Sequence, residues 1–191
     1  MPPLVLASTS RYRAQLLARL GLPVESMRPE GDERPLPGEP PATLALRLAA
    51  AKAGAVAAAR PDALVLGSDQ VASCDGRILG KPGNRDAAIA QLQRMSGREA
   101  VFLTAVALAR AGEPVEQALD TTTVRVRHLS ADEIVRYVDA ESPLDCAGSF
   151  KSEGLGITLF ESIESRDPTA LVGLPLIATV RLLRARGVAL P

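Results

Sequence analysis

Two long strand-like stretches follow one another in the middle of this chain, near Ala100–Arg110 and Val115–Arg127, joined only by Ala111-Gly112-Glu113-Pro114. Both read as strands. Around them the chain mixes helices and strands, so the pattern predicts an α/β fold with a mixed sheet flanked by helices. Leu4-Val5-Leu6-Ala7 predicts a short buried strand. A helix from about Arg11 to Leu20 follows, with Leu16, Leu17 and Leu20 on one face and Gly21 as its stop. A second strand is expected near Val24 to Met27, then a loop rich in Pro, Gly and acid from Pro29 to Pro41, then a long Ala-rich helix from Thr43 to Arg60. Ala63 to Gly67 reads as a strand that ends at Ser68-Asp69-Gln70. Val71 to Leu79 predicts a hairpin turning at Asp75-Gly76, and Asn84 caps a helix running to about Met95. Ser130-Ala131-Asp132-Glu133 is a capping box that opens a helix to about Asp139. A glycine-rich stretch, Ala147 to Gly156, and a last helix from about Pro175 to Arg186 complete the chain. We expect a single domain over 1–191.

Composition narrows the functions open to such a fold. The 191 residues carry 22 Lys and Arg against 22 Asp and Glu, a formal charge of zero. Broad nucleic-acid or membrane binding needs a basic surface, so neither partner is expected. A local cationic pocket remains allowed. Two cysteines, Cys74 and Cys146, form no disulfide framework and no metal spacing, which suits a cytoplasmic chain with reduced thiols. Leu4 to Ala7 is too short an apolar run for a signal peptide, and Ala100 to Ala109 is about half a membrane span. With a single histidine, His128, and no suitable Cys–His spacing, a Ser-His-Asp or Cys-His hydrolase is not expected. No Walker-type or Rossmann-type glycine loop is present.

Four segments hold residues with chemical potential. Ser8-Thr9-Ser10-Arg11-Tyr12-Arg13 lies at a strand-to-helix junction, where free N–H groups and positive partial charge collect. Ser8 and Ser10 add hydroxyl donors, and Arg13 can fork onto phosphate oxygens. The same residues equally suit a plain N-cap and a solvated arginine. Lys52 and Lys81 stand in uncharged surroundings. Each alone suits a surface lysine, but with Arg13 they supply three cations, about what a triphosphate needs once a divalent metal is counted. Asp69 sits where the third strand is expected to end, the position at which sites form in α/β sheets, and a turn-capping role is its alternative. Glu33 is the obvious second carboxylate, since magnesium is commonly held by one or two carboxylates plus phosphate oxygens. In Cys146 to Gly154 the glycines permit close backbone approach to a ligand, and Glu153 is either a ligand contact or an exposed loop acid.

In order along nearly the whole chain, these segments resemble the Maf-like nucleoside triphosphate pyrophosphatases. The resemblance rests on Leu-Ala-Ser-Thr-Ser-x-x-Arg at 6–13, Asp32-Glu33, Lys52, Gly67-Ser68-Asp69-Gln70, Gly80-Lys81-Pro82, Ala147 to Gly154, and Asp167-Pro168 with Leu171-Val172-Gly173-Leu174-Pro175. It implies a mixed α/β fold of the Maf and inosine triphosphatase type, with two lobes around a deep nucleotide-binding cleft. It also implies hydrolysis of a nucleoside triphosphate to monophosphate and pyrophosphate with a divalent cation, Mg²⁺ or Mn²⁺, and a homodimer. The family's acid/base carboxylate maps to Asp69, and its phosphate- and metal-handling residues to Ser8, Arg13, Glu33, Lys52 and Lys81. Three positions that separate substrate subgroups map to Tyr12, Gln70 and Glu153. They look more like the subgroup acting on 7-methyl-GTP than the pyrimidine subgroup, which resembles Arg, Thr and Gln there. Two departures stand out: Arg11 replaces the usual Pro, and Tyr12 replaces the usual Trp.

The specificity residues have a physical reading. Guanine offers two adjacent donors that one carboxylate, Glu153, accepts together, whereas uracil and thymine offer one N–H flanked by carbonyls. N7-methylation makes the base cationic, and a cation over an aromatic face gains on the order of 0.5–2 kcal/mol. Tyr12 is therefore expected to stack on the base, Glu153 to read its edge, and Gln70 to assist. For the chemistry, an ordinary aspartate is a weak base at neutral pH, so metal assistance is expected when Asp69 directs water at the α-phosphorus. Lys52 or Lys81 would then stabilise the leaving pyrophosphate. A pyrophosphatase for another base (inosine, xanthosine or a pyrimidine) and a non-catalytic nucleotide-binding regulator of cell division are the competing readings. The paired carboxylates Asp69 and Glu33 favour an enzyme.

Overall fold

A computed structural model describes residues 2–191. Seven strands form one sheet: β1 (Leu4–Ala7), β2 (Val24–Met27), β3 (Leu64–Cys74), β4 (Arg77–Leu79), β5 (Glu99–Ala109), β6 (Glu116–Val126) and β7 (Phe160–Glu164). Their order is β2-β1-β3-β5-β6-β7, with β4 added to β3. β1 runs parallel to β2 and to β3, while β3 and β4, and β6 and β7, are antiparallel. The sheet is thus mixed, as the adjacent central strands required. Among the described residues five α-helices accompany it: α1 (Arg11–Ala18), α2 (Pro41–Ala59), α3 (Arg85–Met95), α4 (Ala131–Glu141) and α5 (Leu176–Ala185).

The chain divides into two compact units. The first comprises Met1–Gln70, Thr104–Asp120 and Asp167–Pro191. Side chains alternate across a strand, and this unit uses both faces. Leu4, Leu6, Leu64 and Leu66 join Leu16 and Leu17 of α1 and Leu182 and Leu183 of α5 in one buried cluster. The opposite face carries Val65 and Gly67 and meets α2. A Cβ at Gly67 would lie 2.3 Å from Ala49 O and 2.6 Å from Ala53 N, so helix and strand approach to backbone contact there. The alanines of α2 make that approach possible. By length and mean hydropathy, 1.3 over its best window, α2 also has the dimensions of a membrane span. Its fully buried Ala45, Ala49 and Ala53 make it a core helix instead.

The second unit comprises Val71–Leu103 and Thr121–Arg166. The β3–β4 hairpin turns at Asp75 and Gly76, both with positive φ, 48° and 72°. α3 and α4 pack together here. Ser130 caps α4 as expected: its hydroxyl accepts from Glu133 N at 3.2 Å, and Glu133 Oε2 accepts from Ser130 N at 2.8 Å. The three phenylalanines form one edge-to-face cluster, with Phe150 5.2 Å from Phe102 and 4.7 Å from Phe160. β7 and the 3-10 turns at Ala147–Ser149 and Leu155–Leu159 were not expected from the sequence.

One boundary changes the reading of the site. The sequence ends the third strand at Gly67, but β3 continues to Cys74. Asp69 therefore sits inside a strand and not beyond its end. Ser68, Asp69 and Gln70 interrupt the apolar run, yet each polar side chain finds partners, so the extended backbone persists.

Candidate active site

Strand alternation sends the three polar residues of β3 in two directions. Asp69 follows Gly67 onto the α2 face, where Lys52 Nζ lies 2.6 Å from its Oδ1. The same ammonium lies 3.0 Å from Glu33 Oε1. Lys52 and Asp69 side chains are only 12% and 11% exposed, whereas Glu33 is 63% exposed. One buried carboxylate thus shares a cation with one solvent-accessible carboxylate. Beside them the acidic loop and α2 line a shallow, open pocket whose walls include Glu30, Asp32, Glu33, Leu48 and Lys52.

Ser68 and Gln70 point to the other face. Ser68 Oγ bonds the carbonyls of Ala105 at 2.8 Å and Gly173 at 2.9 Å. Gln70 Nε2 donates to Thr104 Oγ1 and to the carbonyls of Ala170 and Leu171, all at 3.0–3.1 Å. The amide nitrogen is thus committed to the protein's own acceptors.

At the β1–α1 junction, Ser10 is the helix N-cap, accepting from Arg13 N at 3.4 Å. Ser8 Oγ accepts from Ser10 N at 3.1 Å and from Arg13 Nη1 at 3.5 Å. Arg13 Nε donates to Gly173 O at 2.9 Å. Burial pushes the Arg13 guanidinium below its ordinary value, and the negative charges of Asp69 and Glu33 oppose that shift. A guanidinium does not lose its proton in proteins, so Arg13 is a fixed, partly desolvated cation facing the carboxylates. Arg11 Nη2 donates to Tyr12 OH at 2.8 Å, and its guanidinium carbon lies 4.8 Å from the Tyr12 ring centroid. The ring expected to stack on a base is therefore met by the neighbouring arginine, a pairing that follows directly from the Arg11 departure.

The turn before α5 is the hub of this arrangement, and its members carried no assigned role in the sequence reading. Carbonyls of residues 170–173 receive Arg13, Ser68, Gln70 and Thr104. Asp167, 2% exposed, holds the turn. Its Oδ1 accepts from Thr169 N at 2.9 Å and Thr169 Oγ1 at 2.6 Å, and its Oδ2 accepts from Ile177 N at 2.7 Å in the first turn of α5. Asp167→Ala leaves buried donors unmet, so a loss of roughly 3 kcal/mol is expected. A denaturant midpoint unchanged from wild type would contradict this.

The second unit holds the remaining candidates. Lys81 is exposed in the loop after β4, and Glu153 is exposed between Ser152 and Gly154. The glycines around Glu153 serve the protein's own packing. A Cβ at Gly148 would meet Phe102 at 3.0 Å, at Gly154 the Glu141 carboxylate at 2.8 Å, and at Gly156 the Lys151 carbonyl at 2.4 Å.

Comparisons with known proteins agree with this architecture. The family described as "Maf-like protein" matches residues 3–186. A protein of Xanthomonas campestris pv. campestris named 7-methyl-GTP pyrophosphatase is 61% identical over 191 residues, covering both chains completely. One of the same name from Aromatoleum aromaticum is 62% identical over 190 residues, covering 98% of this chain and 97% of its own. Among solved structures, the Staphylococcus aureus Ham1 protein superimposes with a TM-score of 0.52 at 16% identity, covering 96% of this chain and 97% of that one. A HAM1 protein from Coxiella burnetii gives 0.52 at 16% identity, covering 99% and 100%. At such low identity these two likenesses establish the fold alone.

Proposed function

We propose a function from one premise: the chain belongs to the Maf-like protein family. Our reading is a nucleoside triphosphate pyrophosphatase that hydrolyses 7-methyl-GTP to 7-methyl-GMP and pyrophosphate. The observation that carries it is the Lys52 ammonium held between Asp69 and Glu33, with the partly desolvated Arg13 cation close enough to feel both carboxylates. Two carboxylates beside phosphate-binding cations favour a hydrolase, which uses them for water and metal, over a protein that only binds an anion. Full-length relatives named for this reaction supply the substrate.

The donor set fits a divalent cation in part. No cluster of three or more His, Cys, Asp or Glu suited to a metal occurs among the described residues. Two carboxylates already converge on a positive group, however, which matches a Mg²⁺ or Mn²⁺ held by Glu33 and Asp69 and completed by substrate phosphate oxygens. Bound there, the metal would acidify water and neutralise phosphate charge.

The chain's own residues take the remaining roles. Asp69 gives Oδ1 to Lys52 and keeps Oδ2 for a water aimed at the α-phosphorus. Arg13, with Ser8 and Ser10 beside the N-terminus of α1, binds phosphate oxygens. Lys52 and Lys81 stabilise the pyrophosphate as it leaves. Tyr12 stacks on the methylated base through the ring face that Arg11 leaves uncovered, Glu153 accepts its two adjacent N–H donors, and Gln70 assists through its carbonyl. We assign these roles within one catalytic domain over 1–191, in a cytoplasmic homodimer, a setting that suits Cys74 and Cys146 forming no disulfide.

Pyrophosphate release from a panel of nucleoside triphosphates with Mg²⁺ or Mn²⁺ tests the reading. Selective turnover of 7-methyl-GTP is expected. Release from UTP or dTTP instead keeps the reaction and discards the base assignment, and no release at all leaves a nucleotide-binding protein. Glu153→Gln is expected to lower the 7-methyl-GTP to UTP ratio of kcat/KM by about tenfold or more, the size of a charged contact at a base edge. An unchanged ratio removes Glu153 from the reading.

A further inference from the structure

α4 ends against a local rule. The C-terminus of a helix carries negative partial charge and favours cations in its last turn. This helix has none there, and its last residue is Glu141. Residues that break a local rule while their surroundings compensate are expected at functional or strained positions.

The compensation comes entirely from the loop that carries Glu153. Glu141 Oε2 accepts from Leu155 N at 2.7 Å. Lys151 Nζ donates to Glu141 O at 2.8 Å and lies 3.6 Å from Glu141 Oε1. Lys151 N donates to Tyr137 OH at 3.0 Å. Tyr137 is buried, and that burial pushes its phenol well above the ordinary range, so it stays a neutral partner. Glu141 thus grips both ends of residues 151–155, with Glu153 between them. A Cβ at Gly154 would press on the Glu141 carboxylate and make it shift, and one at Gly156 would meet the Lys151 backbone, which cannot turn aside. The Lys151 and Glu141 side chains are only 14% and 20% exposed, so the pair is shielded, while Glu153 itself is exposed.

We infer that the Glu141–Lys151 clasp is a positioning device for substrate specificity: it holds Glu153 in the one placement that reads a purine with two adjacent donors. The inference rests on the proposed role of Glu153. The clasp also places an ammonium on Glu141, whereas Glu153 is exposed and its Oε2 accepts from Ser152 Oγ at 3.5 Å. Loosening the loop costs base discrimination because a wandering carboxylate no longer meets both donors together. The effect falls on KM for 7-methyl-GTP more than on kcat, since neither residue touches the reacting phosphate.

A double-mutant cycle decides it, with kcat and KM measured separately for 7-methyl-GTP and UTP. Glu141→Ala is expected to lower the 7-methyl-GTP preference about tenfold, mostly through KM. In a Glu153→Gln background the same change is expected to cost less than about twofold more, because the clasp acts through Glu153. Glu141→Gln keeps an acceptor for Leu155 N while losing the ion pair, and a partial loss of about threefold is expected. It also carries the test if the alanine variant fails to fold. Undiminished preference in folded Glu141→Ala or Glu141→Gln overturns the clasp while leaving Glu153 in place, as does full additivity with Glu153→Gln. No effect of Glu153→Gln alone overturns the base-reading role itself, and the clasp's role with it.

Discussion

Asp69→Asn is expected to lose about 10²–10⁴-fold in kcat while folding as the wild type does. The substitution is isosteric, and the side chain is 11% exposed, so there is little room for a different rotamer. An amide oxygen can still accept from Lys52 Nζ, which preserves the local hydrogen bond. It offers no negative charge to a divalent cation and no basic oxygen to a water. Lys52 would then be left with Glu33 as its only carboxylate partner, 63% exposed and far more screened by solvent. The loss should appear in kcat for every substrate, unlike the loss in Glu153→Gln, which should appear in the ratio between substrates. Full activity in folded Asp69→Asn removes the residue from the mechanism.

The second large effect is structural. Gly67→Ala places a methyl group 2.3 Å from Ala49 O, 2.6 Å from Ala53 N and 3.0 Å from Ala53 Cβ. Two of those atoms are helix backbone, so no side-chain rotation relieves the clash and α2 must move as a body. Overpacking of this kind costs roughly 3 kcal/mol or more. For a chain of this size that corresponds to a Tm about 6–12 °C lower. Function suffers in the fraction that folds, because α2 carries Lys52 and the clash lies two residues before Asp69 on β3. The glycine therefore sets the helix-to-strand spacing that brings the ammonium to 2.6 Å from the carboxylate. A Tm within about 2 °C of wild type would show that α2 yields more easily than its contacts imply.

Much of this architecture is written locally. The Ser130–Glu133 capping box, the Asn84 cap and the Asp75-Gly76 turn each lie within four residues, and each forms as its pattern dictates. α2 begins at Pro41 and not at Thr43 because proline is welcome in the first helical turn, where its missing N–H has no partner to lose. What the sequence hides is long-range. Ser68 and Arg13 meet the carbonyl of Gly173 across 105 and 160 residues, and nothing near either residue announces that partner. The continuation of β3 through Asp69 is hidden for the same reason: a polar triplet reads as a strand end unless its partners are known. β7 is five residues long and mostly solvent-facing, too weakly patterned to signal a strand. The site residues were legible as residue types, and the grouping of Lys52, Asp69 and Glu33 around one ammonium emerged only in three dimensions.

The central claim is that water attacks the α-phosphorus of 7-methyl-GTP. Turnover in ¹⁸O-labelled water, with products resolved by mass spectrometry, tests it in one experiment. The account predicts one labelled oxygen in 7-methyl-GMP and unlabelled pyrophosphate, with no free phosphate formed. Label in pyrophosphate, or release of labelled phosphate, would place the attack on the β- or γ-phosphorus and contradict the arrangement of Asp69, Lys52 and Arg13 set out above.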